Sequence, residues 1–284
     1  MTESLKVAVI GAGTMGNGIA QTFAAAGHTV KLVEVAQDGL DRGLATVRKS
    51  LDRFVKKEKM TQEQTDEIFA RITGTLDMEG AVADVDMVIE AVFENEAVKK
   101  EIFKKLDKAA PAGCILASNT SSISITSIAS VTSRPQDVVG MHFMNPVPLM
   151  KLVELIRGEK TTDEVVARTK AIAEGVGKTV GVAQDYAGFV ANRILMPMLN
   201  EAAFTLYEGI ATREDIDTIM KLGMNHPMGP LALADFIGID VCVNILDYMY
   251  EQFGDPKFRC APNMRRMVQA GKLGRKSGEG FYAY

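Results

Sequence analysis

Lys6-Val7-Ala8-Val9-Ile10-Gly11-Ala12-Gly13-Thr14-Met15-Gly16 decides the fold: an apolar run ends in glycines of G-x-G-x-x-G spacing, and helical character follows from Thr14 to Ala26. Such a strand–turn–helix uses each glycine differently. Gly11 permits the tight turn, Gly13 lets backbone approach a pyrophosphate, and Gly16 lets helix and strand pack closely. Thr14 and Met15 open the helix, whose first N–H groups and partial positive charge suit phosphates. Gly27-His28 breaks the helix, and Thr29 to Glu34 reads as a second strand. Glu34 then falls about 20 residues on, where an acid accepts hydrogen bonds from the adenine ribose hydroxyls. Its charge opposes a 2′-phosphate, so NAD is expected over NADP. A plain strand–turn–helix with packing glycines and a surface glutamate is the bland alternative, and neither reading names a reaction.

Outward from this turn, short β-branched runs alternate with helical patterns, the mark of a parallel sheet covered by helices. Gln37 to Arg71 carries Leu40, Leu44, Val47, Leu51 and Val55 at helical spacing and reads as two helices broken near Lys59-Met60-Thr61. Strands are expected at Val85 to Ala91, Cys114 to Ser118, Val138 to Phe143, Leu152 to Ile156 and Thr179 to Val182. Helices are expected at Ala97 to Ala109 and around Glu164 to Glu174. After Asp185 nearly everything reads helical. The expected architecture is α/β: a Rossmann-type, doubly wound, mostly parallel sheet over 1–186 with a helical insertion at about 37–71, then an all-helical domain over 187–284.

Composition fits this plan. Of 284 residues, 47% are hydrophobic and 24% charged, ordinary for a globular chain with a real core. A net charge of −4 argues against nucleic acid or an anionic membrane as partner. Cys114, Cys242 and Cys260 are scattered, which disfavours a disulfide framework or a zinc site and suits a reducing cytoplasm. No apolar run approaches a membrane span. Glu3 and the early glycines oppose a signal peptide, so the N-terminus reads as the first strand.

The three histidines differ in setting. His28 lies in a turn and reads as a surface residue; His226, in Asn225-His226-Pro227, reads as structural. His142 ends the apolar run Val138-Val139-Gly140-Met141, and ligands of open parallel sheets bind beyond the carboxyl ends of the strands. From the residues alone a satisfied core histidine and a catalytic one both remain open. Ser118-Asn119-Thr120-Ser121-Ser122 brings polar side chains to the same edge, although such residues also serve as helix caps. Glu154 sits inside Lys151-Leu152-Val153-Glu154-Leu155-Ile156; a carboxylate there needs a partner such as an imidazole, unless it faces solvent on an edge strand.

Taken together, these blocks resemble the 3-hydroxyacyl-CoA dehydrogenase family, its stand-alone bacterial 3-hydroxybutyryl-CoA dehydrogenases above all. The resemblance runs through Val9 to Gly16, Ala117 to Ser122, Met141 to Pro148, Met150 to Glu154, Gly188 to Arg193 and Gly274 to Tyr282. Met144 stands where the family often has a second phenylalanine, and Glu34 where aspartate is commoner. The resemblance implies His142 as catalytic acid/base, Glu154 as its partner, and Ser121 and Asn192 as substrate contacts. It assigns nicotinamide and ribose contacts to Glu94, Lys99 and Asn119, which otherwise read as ordinary polar residues. It assigns coenzyme A contacts to Ser50 and Lys57, seven apart on one helical face, in a run (Lys49, Arg53, Lys56, Lys57, Lys59) that also reads as a solvated face.

The implied reaction is reversible hydride transfer between NAD(H) and C3 of a short 3-hydroxyacyl-CoA, four carbons being expected. A broader-chain enzyme of fatty-acid breakdown and a non-catalytic NAD-binding relative are the alternatives. A hydroxyacid dehydrogenase with a catalytic lysine on the linking helix is disfavoured by Asn192-Arg193, and a multifunctional chain by length. Leu195, Leu199, Ala203, Leu206, Ile219 and Leu222 exceed what one small bundle buries, and relatives dimerise through this domain, so a homodimer is expected. No metal is implied.

Overall fold

A computed structural model describes residues 4–284 and divides into two units after Asp185. The first unit begins β1 (Lys6–Ile10), α1 (Thr14–Ala25), β2 (Thr29–Val33), α2 (Gln37–Lys56), α3 (Gln62–Ala70), β3 (Ile72–Thr75) and α4 (Met78–Val82). It continues with β4 (Met87–Glu90), α5 (Glu96–Ala109), β5 (Ile115–Ser118), α6 (Ile125–Ala129), β6 (Val138–Phe143), β7 (Leu152–Arg157), α7 (Asp163–Gly175) and β8 (Thr179–Gln184).

The eight strands form one sheet in the order β3-β2-β1-β4-β5-β6-β7-β8. Every pairing is parallel except β6 with β7. Strands β4, β5 and β6 are buried at every position, as parallel strands covered on both faces must be. The chain runs outward in both directions from β1, so the crevice beyond β1 and β4 is the switch point where such sheets take ligands. Because β7 runs back against β6, His142 and Glu154 become direct cross-strand partners.

Helix α2 buries Leu40, Gly43, Val47 and Leu51, spaced three and four apart, and turns its charges outward. It ends at Lys56, and Thr61 then starts α3 with a reciprocal cap: Gln64 N–H donates to the Thr61 hydroxyl, and Thr61 N–H to the Gln64 side chain. The break therefore falls where the sequence pattern placed it.

Several local expectations need correction. β3 was not foreseen: it is a four-residue edge strand with a single buried position, Ile72, too short to display a period. β2 stops at Val33, leaving Glu34 just outside it. β7 is an interior strand, so Glu154 is buried rather than facing solvent. His28 is not on the surface: it is 4% exposed, its Nδ1 accepts Leu5 N–H at 3.1 Å, and burial pulls its pKa down.

The second unit packs α8 (Ala191–Tyr207), α9 (Arg213–Gly223), α10 (Pro230–Ile237), α11 (Ile239–Phe253) and α12 (Pro262–Gln269) around Met196, Leu199, Leu231, Leu246 and Phe258. Its own core absorbs Leu199 and Ala203, with Leu195 and Leu206 packed against it, whereas Ile219 and Leu222 remain 59% and 80% exposed. Buried Asp235 pins the C-terminal tail by accepting the N–H groups of Phe281 (2.8 Å) and Tyr282 (2.9 Å). Among the described residues no helix is long and apolar enough to cross a membrane.

Candidate active site

The glycine turn is built as its spacing demands. Gly11 has φ +101°, and a Cβ on Gly16 would stand 1.7 Å from the Gly11 carbonyl oxygen, so neither position tolerates a side chain. At Gly13 a Cβ would meet no protein atom within 4 Å; the turn is open there, and no side chain caps the first N–H groups of α1. Glu34 bends over this opening: its Oε2 accepts Ala12 N–H at 2.9 Å and its Oε1 accepts Val35 N–H at 2.8 Å. Beside the turn lies a cleft of about 560 Å³, walled by α2 and by the Asn145–Pro148 segment. An open glycine, uncapped helix N–H groups and a carboxylate at the rim together fit a dinucleotide.

At the far side of the same sheet edge, His142 Nδ1 lies 3.0 Å from Glu154 Oε2. Both are buried, at 9% and 5% exposure. A carboxylate facing Nδ1 favours the tautomer that carries its proton on that nitrogen. Asn119, at the end of β5, accepts Phe143 N–H on its Oδ1 (2.9 Å) and so ties its turn to the histidine strand.

The polar turn after β5 closes on Glu94. Its Oε1 accepts the Thr120 hydroxyl at 2.5 Å, Ser121 N–H at 3.0 Å and the Ser122 hydroxyl at 3.2 Å, with the Ser121 hydroxyl at 3.4 Å. Burial pushes the Glu94 carboxyl up, but the Lys99 charge and these donors outweigh it and hold the pKa below its ordinary value. Lys99 is not an ordinary surface lysine, as its sequence setting suggested. At 1% exposure its ammonium lies 2.6 Å from Glu90 Oε1 and 3.5 Å from Glu94 Oε2. Glu90, fully buried at the end of β4, also accepts the Ser118 hydroxyl (2.7 Å) and Val92 N–H (2.8 Å). Glu90 lay inside the strand expected over Val85 to Ala91, and the structure ends that strand at Glu90 itself.

Two model matches then cover nearly the whole chain: the 3-hydroxyacyl-CoA dehydrogenase NAD binding domain over residues 6–186 and the C-terminal domain of the same enzymes over 188–284. The chain belongs to the 3-hydroxyacyl-CoA dehydrogenase family. The 3-hydroxybutyryl-CoA dehydrogenase of Bradyrhizobium diazoefficiens is 49% identical over 279 residues, 98% of this chain and 95% of that one. The mitochondrial hydroxyacyl-coenzyme A dehydrogenase of Sus scrofa is 42% identical over 98% of this chain and 90% of its own. The solved (S)-3-hydroxybutyryl-CoA dehydrogenase from Ralstonia eutropha superposes with a TM-score of 0.96 at 50% identity, covering 99% of both chains. This family member is thus an NAD-dependent oxidoreductase, and the open glycine turn agrees with the cofactor.

The residues expected to serve coenzyme A divide. Ser50 lines the cleft on the same α2 face as Arg42, Lys49 and Arg53, so its floor is basic. Arg42 had drawn no notice in the sequence because it lies upstream of the lysine run. Lys57, the residue that follows α2, still donates its N–H to the Arg53 carbonyl at 3.1 Å in the helical pattern, and its side chain is exposed and outside the cleft lining. Asn192 is buried at the second position of α8 in the helical unit. His226 lies half-buried between α9 and α10.

Proposed function

We propose that this enzyme catalyses reversible oxidation of (S)-3-hydroxybutyryl-CoA to acetoacetyl-CoA, with His142 as general base and acid. The observation carrying this reading is the His142–Glu154 pair, 3.0 Å apart at the ligand-binding edge of the sheet. NAD, when bound, supplies the acceptor for the C3 hydride. His142 Nε2 takes the C3 hydroxyl proton as the carbon–hydrogen bond breaks, and returns it in the reverse direction. Glu154 holds the ring in the required tautomer and stabilises the imidazolium. Ser121 orients the same oxygen, and Asn192 would serve as a further substrate contact. The glycine turn and Glu34 would seat the adenosine half of the cofactor, with Asn119, Glu94 and Lys99 around its nicotinamide half. Ser50, with Lys57 at the margin, would serve the coenzyme A phosphates.

The substrate follows the names of the compact bacterial relatives, which are 3-hydroxybutyryl-CoA dehydrogenases. We assign residues 1–186 to cofactor binding, with its first three residues outside the described structure, and 187–284 to substrate contact and dimerisation. Exposed Ile210, Ile219, Leu222 and Met224 support a homodimer through the helical unit. Three scattered, buried thiols suit a cytoplasmic setting.

The test is oxidation of NADH with acetoacetyl-CoA and a series of longer 3-ketoacyl-CoAs. Turnover greatest at four carbons is expected. No turnover with any of them overturns the reading in favour of a non-catalytic NAD-binding protein, and a preference for long chains overturns the substrate assignment.

A further inference from the structure

Glu90 and Lys99 form a buried ion pair, and Glu94, its side chain 38% exposed, borders it, so the charges of the three do not cancel. Glu90 is fully buried and Lys99 is 1% exposed. The Glu90 carboxylate accepts from the Lys99 ammonium at 2.6 Å, Val92 N–H at 2.8 Å and the Ser118 hydroxyl at 2.7 Å. The same ammonium is the cation facing Glu94, at 3.5 Å. One positive charge thus serves two carboxylates. The adjacent Glu96 is balanced separately by Lys100 at 2.7 Å, and Glu154 is engaged with His142.

Packing alone does not call for this charge. A glutamine at position 90 would accept from Lys99 and Val92 on its amide oxygen and donate to the Ser118 hydroxyl through its amide nitrogen. Burying an ion pair also carries a desolvation cost that neutral groups avoid. The cluster underlies the turn that carries Asn119 and Ser121: Glu90 accepts Asn119 N–H on its backbone carbonyl at 2.7 Å, while Glu94 gathers Thr120, Ser121 and Ser122.

We infer that Glu90 is a positioning residue whose uncompensated negative charge, shared with Glu94 through Lys99, raises the affinity for the oxidised, cationic nicotinamide relative to the reduced, neutral one. This rests on the proposed seat of the nicotinamide beside Glu94 and Asn119. A unit charge within roughly 10 Å, at an effective dielectric near 20, changes a cation's affinity about tenfold.

The test is titration of the full chain with NAD+ and with NADH, without substrate. In Glu90→Gln the dissociation constant for NAD+ rises about tenfold relative to that for NADH. Ser118→Ala loosens the same carboxylate without altering charge, so both constants move together. Should Glu90→Gln not fold, Glu94→Gln removes one charge from the less buried end and shifts the ratio in the same direction. Equal shifts for the two cofactor forms in a chain that binds both overturn this inference alone. A wild-type chain that binds neither form overturns the nicotinamide seat and the inference with it.

Discussion

His142 and Glu154 stand opposite one another on the one antiparallel strand pair of the sheet, their side chains 3.0 Å apart at Nδ1 and Oε2. The pair exists because the chain reverses between β6 and β7. Were β7 parallel to its neighbour, a glutamate twelve residues after the histidine would not meet it across the ladder.

The proposed roles of the two side chains predict different losses. His142→Gln removes the proposed proton acceptor and is expected to lower kcat by about 10²- to 10⁴-fold, the usual worth of general acid–base catalysis. Glu154→Gln keeps a hydrogen-bond partner for the ring but loses the charge that stabilises the imidazolium, so a smaller loss is expected. NADH affinity should stay near the wild-type value in both. Stopped-flow turnover together with NADH titration checks this; near-normal turnover in His142→Gln removes the histidine from the mechanism.

The glycine turn predicts a contrast between stability and binding. Gly16→Ala places a Cβ 1.7 Å from the Gly11 carbonyl and is expected to cost about 3 kcal/mol, as overpacking does. Gly13→Ala meets nothing in the protein, and φ −65° at that residue suits alanine, so thermal stability should change by less than about 0.5 kcal/mol. Its new methyl instead occupies the space offered to the pyrophosphate, so NADH affinity should fall at least about tenfold. Denaturation and NADH titration of both variants decide it: unchanged NADH binding in Gly13→Ala contradicts the proposed approach of the cofactor.

The features most legible in the sequence were those with a period or a spacing. β1, the glycine turn and α1 were readable because apolar run, glycines and helix follow in a fixed order, and β6 because four positions without a polar side chain, Val138 to Met141, lead to a polar one. β3 was not, since one buried isoleucine in four edge residues leaves no pattern. Lys99 was hidden among Lys100, Lys104 and Lys105, although its spacing to Phe103 and Leu106 places it on the buried face of α5. Glu90 gave no sign because its burial depends on Lys99, nine residues on and reached only when α5 folds back against β4. The His142–Glu154 contact was legible only through the family resemblance, because the residues alone do not give the strand direction that pairs them.

Glu94 predicts a pH dependence of stability. Its folded pKa lies below the ordinary 4.5, because the Lys99 charge and the Thr120, Ser121 and Ser122 donors outweigh burial. A depressed carboxyl contributes stability that is fully present above about 4.5 and is lost as pH falls through the lower folded value. The melting-temperature gap between wild type and Glu94→Gln should therefore be widest above pH 5 and narrow as the solution is acidified. A gap that stays constant from neutral pH into the acid range contradicts ionised Glu94 in that turn.

Lys178 makes the last prediction, because it clips the segment joining β6 and β7. Buried at 8% exposure, its ammonium donates to the carbonyls of Val147 (2.5 Å) and Met150 (2.8 Å), within the loop between His142 and Glu154. Lys178→Met fits the aliphatic path but leaves both carbonyls without this donor, an expected cost of about 2 kcal/mol. Burial lowers the Lys178 pKa below 10.5, so the unfolded chain holds its proton to higher pH than the folded one. Wild-type stability relative to the variant should accordingly rise as pH climbs from the lowered folded value toward 10.5, since the unfolded state binds more protons across that window. Urea unfolding of both proteins at pH 7 and pH 9.5 measures the difference. A gap that shrinks toward alkaline pH would show that the charged ammonium, rather than its desolvation, dominates the clip.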